Sequence, residues 1–465
     1  MKAKAKAGNK DSRPAVSPAR AAAFDILLRV ERESSYASEL LHARTYERLT
    51  AVDHSLATEL VMGVLRWRSV LDSQISHSSA QPLARLDPEV LTALRIAVYQ
   101  LGWLTRVPAR AAINESVELV KRARKRSAAP FVNAVLRKLS ARLAQPATAP
   151  QLANEYSSPE TLAAACAHPL WLVERWTAVY GLASARSICQ HNQSIPVTAL
   201  RLRRPEAEEQ LRAEGIELAP GALLASARLV LQGDVTRTAA FRAGLCVIQD
   251  EASQLVASLV GSGTRILDCC AAPGGKAAAI ADQNPGASVT AVDLHPHRAR
   301  LLRNLLAHHG EAGAGNVQVV AADARTLPFF AKFDRVLADV PCSGTGTLSR
   351  NPEIKWRLTP DDLADLQARQ LAILRAAMAQ VVMGGRLTYS TCSLEREENE
   401  GVIELALAEE ASFRIVDCGV ELGKLRQEGN LIWLDSTSLT RGPYLRTLPG
   451  VHPCDGFFAA ILEKI

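Results

Sequence analysis

No stretch of this 465-residue chain approaches the roughly 18 uncharged apolar residues that a membrane-spanning helix needs. The richest candidate, Leu371 to Met383, contains Arg375 and runs into Gly384-Gly385, so no transmembrane helix is expected. No secretory leader is expected either: Met1 to Arg20 is basic, but Asp25 interrupts Ala21-Ala22-Ala23-Phe24 before an apolar core can form, and a cytoplasmic protein is expected. Cysteine is sparse and unpatterned. The nine residues (166, 189, 246, 269, 270, 342, 392, 418 and 454) are odd in number and never spaced C-x-x-C. That excludes a disulfide framework and a zinc ribbon; no metal is expected, and any thiol that matters must act singly. There is no internal repeat. What is present is ordinary globular material, 48% hydrophobic and 22% charged, which rules out a disordered or collagenous chain. At about 150 residues per domain the length suggests about three domains, more than a single binding module.

The net charge of +6 is unevenly spread. Residues 1–20 carry +5 and residues 105–138 carry +7, leaving −6 for everything else. A basic N-terminal third attracts a polyanion, and RNA contact is expected of the 105–138 cluster. From Pro18 to Ala144 apolar residues recur at three- and four-residue spacing, as in Phe24-Leu27-Leu28 and Leu60-Val61-Val64-Leu65, which predicts an all-helical domain. Gln145 to Pro150 reads as a Pro-rich linker. A helical stretch with Trp171 and Trp176 and then short apolar runs predict a small α/β segment up to Gly244. Beyond Leu245, apolar runs at 265–267, 289–292, 317–321, 333–338 and 386–389 alternate with helical stretches, the pattern of a parallel sheet covered by helices on both faces. The expected architecture is therefore multidomain: a basic tail at 1–15, an all-α domain at 16–145, a linker and small α/β domain at 146–244, and a Rossmann-like α/β domain at 245–465.

In that last region Ile266-Leu267-Asp268 reads as a strand. It runs through Cys269, Cys270, Ala271, Ala272, Pro273, Gly274, Gly275 and Lys276 into a helix, a tight small-residue turn that lets backbone approach a ligand. The next strand ends in Asp293, 18 residues after Gly275, where an acid can accept both ribose hydroxyls. The third ends in Ala322-Asp323, suited to an adenine amino group, and the fourth in Asp339. No P-loop is present, because Lys276 is followed by Ala277, and with one basic side chain in the turn a phosphate-rich dinucleotide is disfavoured. S-adenosylmethionine fits best, its cations lying near Asp268 and Asp339.

Two strand ends also carry a thiol: Asp339-Val340-Pro341-Cys342 and Tyr389-Ser390-Thr391-Cys392. A lone buried cysteine is usually a small hydrophobe. Two at ligand-bearing strand ends suit one reaction in particular. Carbon 5 of cytosine is a poor nucleophile, but a thiolate adding at carbon 6 makes the ring an enamine that attacks a methyl sulfonium. An acid at the pyrimidine's N3/N4 edge stabilises the developing charge, and Asp339, three residues from Cys342, is the candidate.

These segments, with Asp339 to Trp356, Glu398-Asn399, Asp455 to Ala459 and Gln249 to Ser253, closely resemble RNA cytosine-C5 methyltransferases of the Nol/Nop/Sun class. The resemblance implies that Cys392 is the nucleophile and Cys342 serves product release. DNA cytosine methyltransferases use the Pro-Cys thiol instead, so having both favours RNA. Glu59 to Trp67, Val107 to Glu115 and Phe131 to Arg137 resemble the all-helical NusB domain. A NusB-like domain joined to this catalytic domain is similar to the RsmB family of bacterial 16S ribosomal RNA cytosine-C5 methyltransferases. That implies a monomer acting on 16S ribosomal RNA, free or within an assembling small subunit. Ala277 stands where the family commonly has Thr, and Asn351 where it often has His. Methylation of another RNA such as tRNA, or of DNA, stays open on the motifs alone, as does a non-catalytic NusB-like RNA-binding factor.

Overall fold

The computed structural model describes residues 16–33, 35–143, 156–307 and 317–465. The basic segment 1–15 and the Pro-rich stretch 145–150 lie outside the described residues. Contacts divide the chain into two compact units, one running up to Val173 with Asn351–Glu353, the other comprising Glu174–Arg350 and Ile354–Ile465.

The first unit is helical: Pro18–Glu33, Ala51–Ser78, Pro88–Trp103, Ala109–Arg122 and Ala129–Leu143 are its long helices. The start of Ala51–Ser78 follows from Thr50, whose hydroxyl accepts the Asp53 amide at 3.1 Å and satisfies one free helix donor. The periodic apolar residues read from the sequence meet in one core containing Phe24, Leu27, Leu60, Val64, Leu94, Ile96, Leu119 and Leu136. Buried Arg20 crosses this unit, donating to Gln100 Oε1 at 2.7 Å and Glu115 Oε1 at 2.9 Å. No helix among the described residues is long and apolar enough to cross a membrane.

The second unit holds two sheets. A small antiparallel one is made of β1 (Thr198–Leu202), β2 (Glu217–Pro220), β3 (Ala227–Gln232) and β4 (Cys246–Ile248), in the order β2-β3-β1-β4. It closes over Leu200, Leu211, Ile216 and Leu218. The large sheet comprises β5 (Arg265–Asp268), β6 (Ser288–Asp293), β7 (Val317–Ala321), β8 (Phe333–Asp339), β9 (Val381–Thr391), β10 (Phe413–Val416), β11 (Thr440–Arg441), β12 (Tyr444–Arg446) and β13 (Phe458–Lys464). Its order is β11-β12-β13-β9-β8-β5-β6-β7, with β10 also pairing β13. Strands β5 to β9 pair in parallel and β13 runs antiparallel to β9. Alternation along these strands feeds two cores. Ile266 and Leu337 join Leu255 and Ile280 in one, while Leu267, Val336 and Ala338 join Ile373, Leu374 and Ile403 in the other. Both sheet faces are thus covered, as the continuous apolar runs require. From β5 the chain moves outward through β6 to β7 and then returns to the other side of β5 as β8. Such a reversal opens a crevice beyond the carboxyl ends of the two strands, where ligands of open α/β sheets bind.

Candidate active site

The two strands flanking this crevice end in Asp268 and Asp339. Asp268 is buried; its Oδ1 accepts the Cys270 amide at 3.3 Å, and its Oδ2 has no hydrogen-bond partner among the described residues. Burial first, and then the charge of Asp339, push its pKa up to about 7 against the opposing pull of Lys276. From Cys270 the chain turns through Ala271, whose amide bonds Val292 O at 2.7 Å, and then through Ala272 and Pro273 to Gly274. Gly274 is left-handed (φ 119°), and a Cβ there would lie 2.7 Å from the Leu302 and Leu305 side chains, so only glycine fits. The helix Gly275–Gln283 starts at once and aims its first amides back at the crevice. Ala277, the departure from Thr, is fully buried among Ala271, Ala291 and Leu302.

Lys276, on the first turn of that helix, reaches Asp339 Oδ2 at 2.8 Å and lies 5.0 Å from the centre of the Phe457 ring. Burial works against its charge, but Asp339 outweighs it, with further attraction from Cys392 and Asp268, and the lysine pKa is raised. Register places Ser390 opposite Asp339, and its hydroxyl donates to Asp339 Oδ1 at 2.7 Å. Asp339 therefore stands at the rim in an ion pair, a partner that composition and spacing did not reveal. At the end of β6, Asp293 is buried and its Oδ1 accepts the His295 amide at 2.8 Å. Asp323 follows β7 but faces Arg325, in an ion pair of 2.6 Å that holds its carboxyl below the usual range. The structure thus gathers Asp268, Lys276 and Asp339 into one cluster and leaves Asp323 in a separate local pair.

The loops after β8 and β9 bring the two thiols together, Cys342 Sγ and Cys392 Sγ lying 3.2 Å apart. The hydrogen bond with Cys392, then burial, then the charges of Cys392 and Glu398 push the Cys342 pKa well up, so at neutral pH it is a thiol. Sequence reasoning named both cysteines but gave no role to the serines that follow them. Ser343 and Ser393 both donate to the Glu398 carboxylate, and the repeated Cys-Ser pair was the available signal. The loops also meet through backbone: the Gly346 amide bonds Cys392 O at 2.9 Å, and the Gly456 amide bonds Gly346 O at 2.8 Å. A Cβ on Gly346 would sit 2.1 Å from Gly456 O.

With this geometry in view, the likeness to known proteins is specific. A family model described as 16S rRNA methyltransferase RsmB/F matches residues 259–463, the NusB family matches 17–141, and the ferredoxin-like domain of RsmF/B-type methyltransferases matches 168–236. The probable ribosomal RNA small subunit methyltransferase B of Bacillus subtilis is 35% identical over 455 residues, covering 95% of this chain and 98% of the relative. The chain belongs to this methyltransferase family. The Pseudomonas putida ribosomal RNA small subunit methyltransferase B is 32% identical over 469 residues, covering 97% of this chain and 98% of its own. Among solved structures, PH0851 is 24% identical with a TM-score of 0.77 over 98% of this chain and 100% of that one. NSun6 from Pyrococcus horikoshii, solved with SFG, has a TM-score of 0.55 at 20% identity, over 64% of this chain and 98% of that one. These two share the fold. The fold class is the one expected from sequence: a NusB-like helical domain, a small middle domain and an α/β methyltransferase domain.

Proposed function

We propose that this family member methylates carbon 5 of a cytosine in 16S ribosomal RNA, through a thioether between Cys392 and carbon 6 of the base. The observation that carries the reading is the pair of thiols 3.2 Å apart at neighbouring strand ends, beside the Lys276–Asp339 ion pair at 2.8 Å. The cofactor suited to the crevice is S-adenosylmethionine, which supplies a methyl group on a sulfonium. The fit rests on Asp268, whose buried, unpartnered Oδ2 is satisfied by a cationic ligand. Cys270 to Gly275 line the turn, Asp293 takes the ribose hydroxyls, and Asp323, on release from Arg325, takes the adenine amino group.

The Cys392 thiolate, drawn by the Lys276 ammonium, adds to carbon 6 and makes the C–S bond. Charge moves onto the N3 side of the ring, where Lys276 stabilises it while the Asp339 carboxylate accepts from the exocyclic amine. Carbon 5 then takes the methyl and loses its proton to water, and the C–S bond breaks. Because Cys342 stays a thiol, it suits the acid that protonates the departing Cys392 sulfur better than the nucleophile. The Cys342 thiolate formed in that step takes the proton back from Cys392 before the next attack, so the shared proton shuttles with no net change.

The test is to incubate the protein with labelled S-adenosylmethionine and either naked 16S ribosomal RNA or immature small subunits, then map the product by bisulfite sequencing. One protected cytosine in 16S RNA is expected. A methyl group on a ring nitrogen, or on tRNA in preference to 16S RNA, would sink the reading.

A further inference from the structure

Glu398 is fully buried, and among the described residues its carboxylate makes no ion pair. Burying a carboxylate is costly unless hydrogen bonds replace its water. Here Oε1 accepts the Ser343 amide at 2.7 Å and Gln370 Nε2 at 2.9 Å, while Oε2 accepts the hydroxyls of both Ser343 and Ser393. These are the residues immediately after Cys342 and Cys392. Gln370 extends the grip by donating to Pro341 O, just before Cys342, at 3.0 Å. Neighbouring Asn399 braces Cys392 alone: its Oδ1 accepts from the Thr391 hydroxyl and its Nδ2 donates to Ser393 O at 2.9 Å. Glu398, by contrast, accepts from both loops. An ionised carboxylate is all acceptor, with room for about four donors, which is what this junction presents.

We propose that Glu398 is a positioning residue of the methyl-transfer site, its carboxylate fixing Cys342 against Cys392 so that the proton shared by the two sulfurs has one short path. The inference rests on the cytosine-C5 reading above. The same negative charge contributes to the raised pKa of Cys342, the direction that keeps the shared proton there while Cys392 attacks.

Two substitutions separate charge from reach. Glu398→Gln keeps the volume and removes the charge; Glu398→Asp keeps the charge and shortens the arm. For Glu398→Gln, kcat should fall about 10- to 100-fold, as expected for misplaced reacting groups. KM for RNA and affinity for S-adenosylmethionine should stay within about twofold of the parent, since neither ligand meets this carboxylate. The acidic limb of the kcat profile should move to lower pH in Glu398→Gln, because no neighbouring charge then opposes a thiolate, and should stay in place in Glu398→Asp. A merely structural role would not move that limb. Parental kcat and limb in Glu398→Gln would overturn the proposal, as would a loss of kcat matched by equal losses in ligand affinity and thermal stability. Should Glu398→Gln fail to fold, Ser343→Ala with Ser393→Ala removes both hydroxyls from Oε2, and parental kcat there would overturn it equally. RNA carrying 5-fluorocytidine keeps the two readings apart, because fluorine at carbon 5 blocks the last elimination and traps the thioether. If the parent forms no such adduct, the cytosine-C5 reading falls and this inference with it. If the parent traps while the variants behave as the parent, the Glu398 inference alone falls.

Discussion

Asp268 and the two thiols carry the sharpest consequences at the scale of single residues. In the free protein burial and Asp339 raise the Asp268 pKa to about 7, well above its ordinary 3.8. A carboxyl raised in this way binds more protons folded than unfolded, so the stability its protonation supports is lost as pH rises through about 7. A bound cation reverses the preference, because it favours the carboxylate. Below pH 7 the cofactor must then expel a proton to bind, and its affinity should fall by up to about tenfold per pH unit. Calorimetry between pH 5.5 and 8 checks this. Asp268→Asn should be weaker throughout and flat with pH, and a flat parental profile would remove Asp268 from the site. The thiols separate by their adducts. Cys392→Ala should lose methyl transfer and any protein–RNA adduct, since no other group makes the enamine. Cys342→Ala should still attack and methylate, then stall as a thioether complex visible as a slow band on denaturing gels, absent from the double variant. A stalled band in Cys392→Ala and none in Cys342→Ala would make Cys342 the nucleophile.

Among the elements, the junction of the loops after β8 and β9 with the approach to β13 is the tightest place in the site. Gly346 lets the three backbones touch, and a methyl group there meets Gly456 O at 2.1 Å and Cys392 O at 2.9 Å, both backbone atoms that cannot swing aside. Gly346→Ala should therefore cost about 1–3 kcal/mol of stability as overpacking does, and should lower the rate of adduct formation as well, because Cys392 O is one of the atoms displaced. Denaturant unfolding beside single-turnover kinetics measures both, and an unaltered midpoint would show that the loops part easily. Much of this region was legible beforehand. Buried parallel strands are nearly continuous apolar runs, so Val289–Val292 and Val336–Ala338 announced themselves, and each ended in an acid proposed for the crevice, Asp293 and Asp339. What could not be read is pairing between distant segments. Nothing local links Lys276 to Asp339, or Ser343 to Glu398, 55 residues on. Nor did periodicity reveal the order of the strands, the full length of β9 past Gly384-Gly385, or the kink at Gly181 (φ 81°) that divides the helix Leu170–Gln193. The local pairing of Asp323 with Arg325, two residues on, was likewise not read from the sequence.

Over the whole molecule the question is how a chain of net charge +6 engages a polyanion with a catalytic half that is not itself basic. The helical unit carries the cations, but the structure pairs some of them internally: Arg122 with Asp25 at 2.8 Å, Lys125 with Asp87 at 3.1 Å and Lys121 with Glu118 at 2.7 Å. Arg106, Arg110, Arg124, Arg126, Arg137 and Lys138 are exposed and make no ion pair among the described residues. Phosphate contacts release counterions, and each contact to single-stranded RNA steepens the salt dependence of binding by about 0.7 in log–log slope. The unpaired cations should dominate that slope, since a side chain already neutralised by a carboxylate has less to offer a phosphate. Changing Arg124, Arg126, Arg137 and Lys138 together to Glu should therefore raise KM for RNA and flatten the salt dependence. The single-turnover rate at saturating RNA should stay near parental, because the target base is unstacked and read where the chemistry occurs. Changing Arg122 and Lys125 instead should alter the slope less and cost about 0.2–1 kcal/mol of stability for each surface pair broken. Titrations of RNA binding from 50 to 300 mM salt decide between them. A slope unchanged in the fourfold variant would mean that this unit does not hold the RNA through its charge, and the +7 of residues 105–138 would then need another partner.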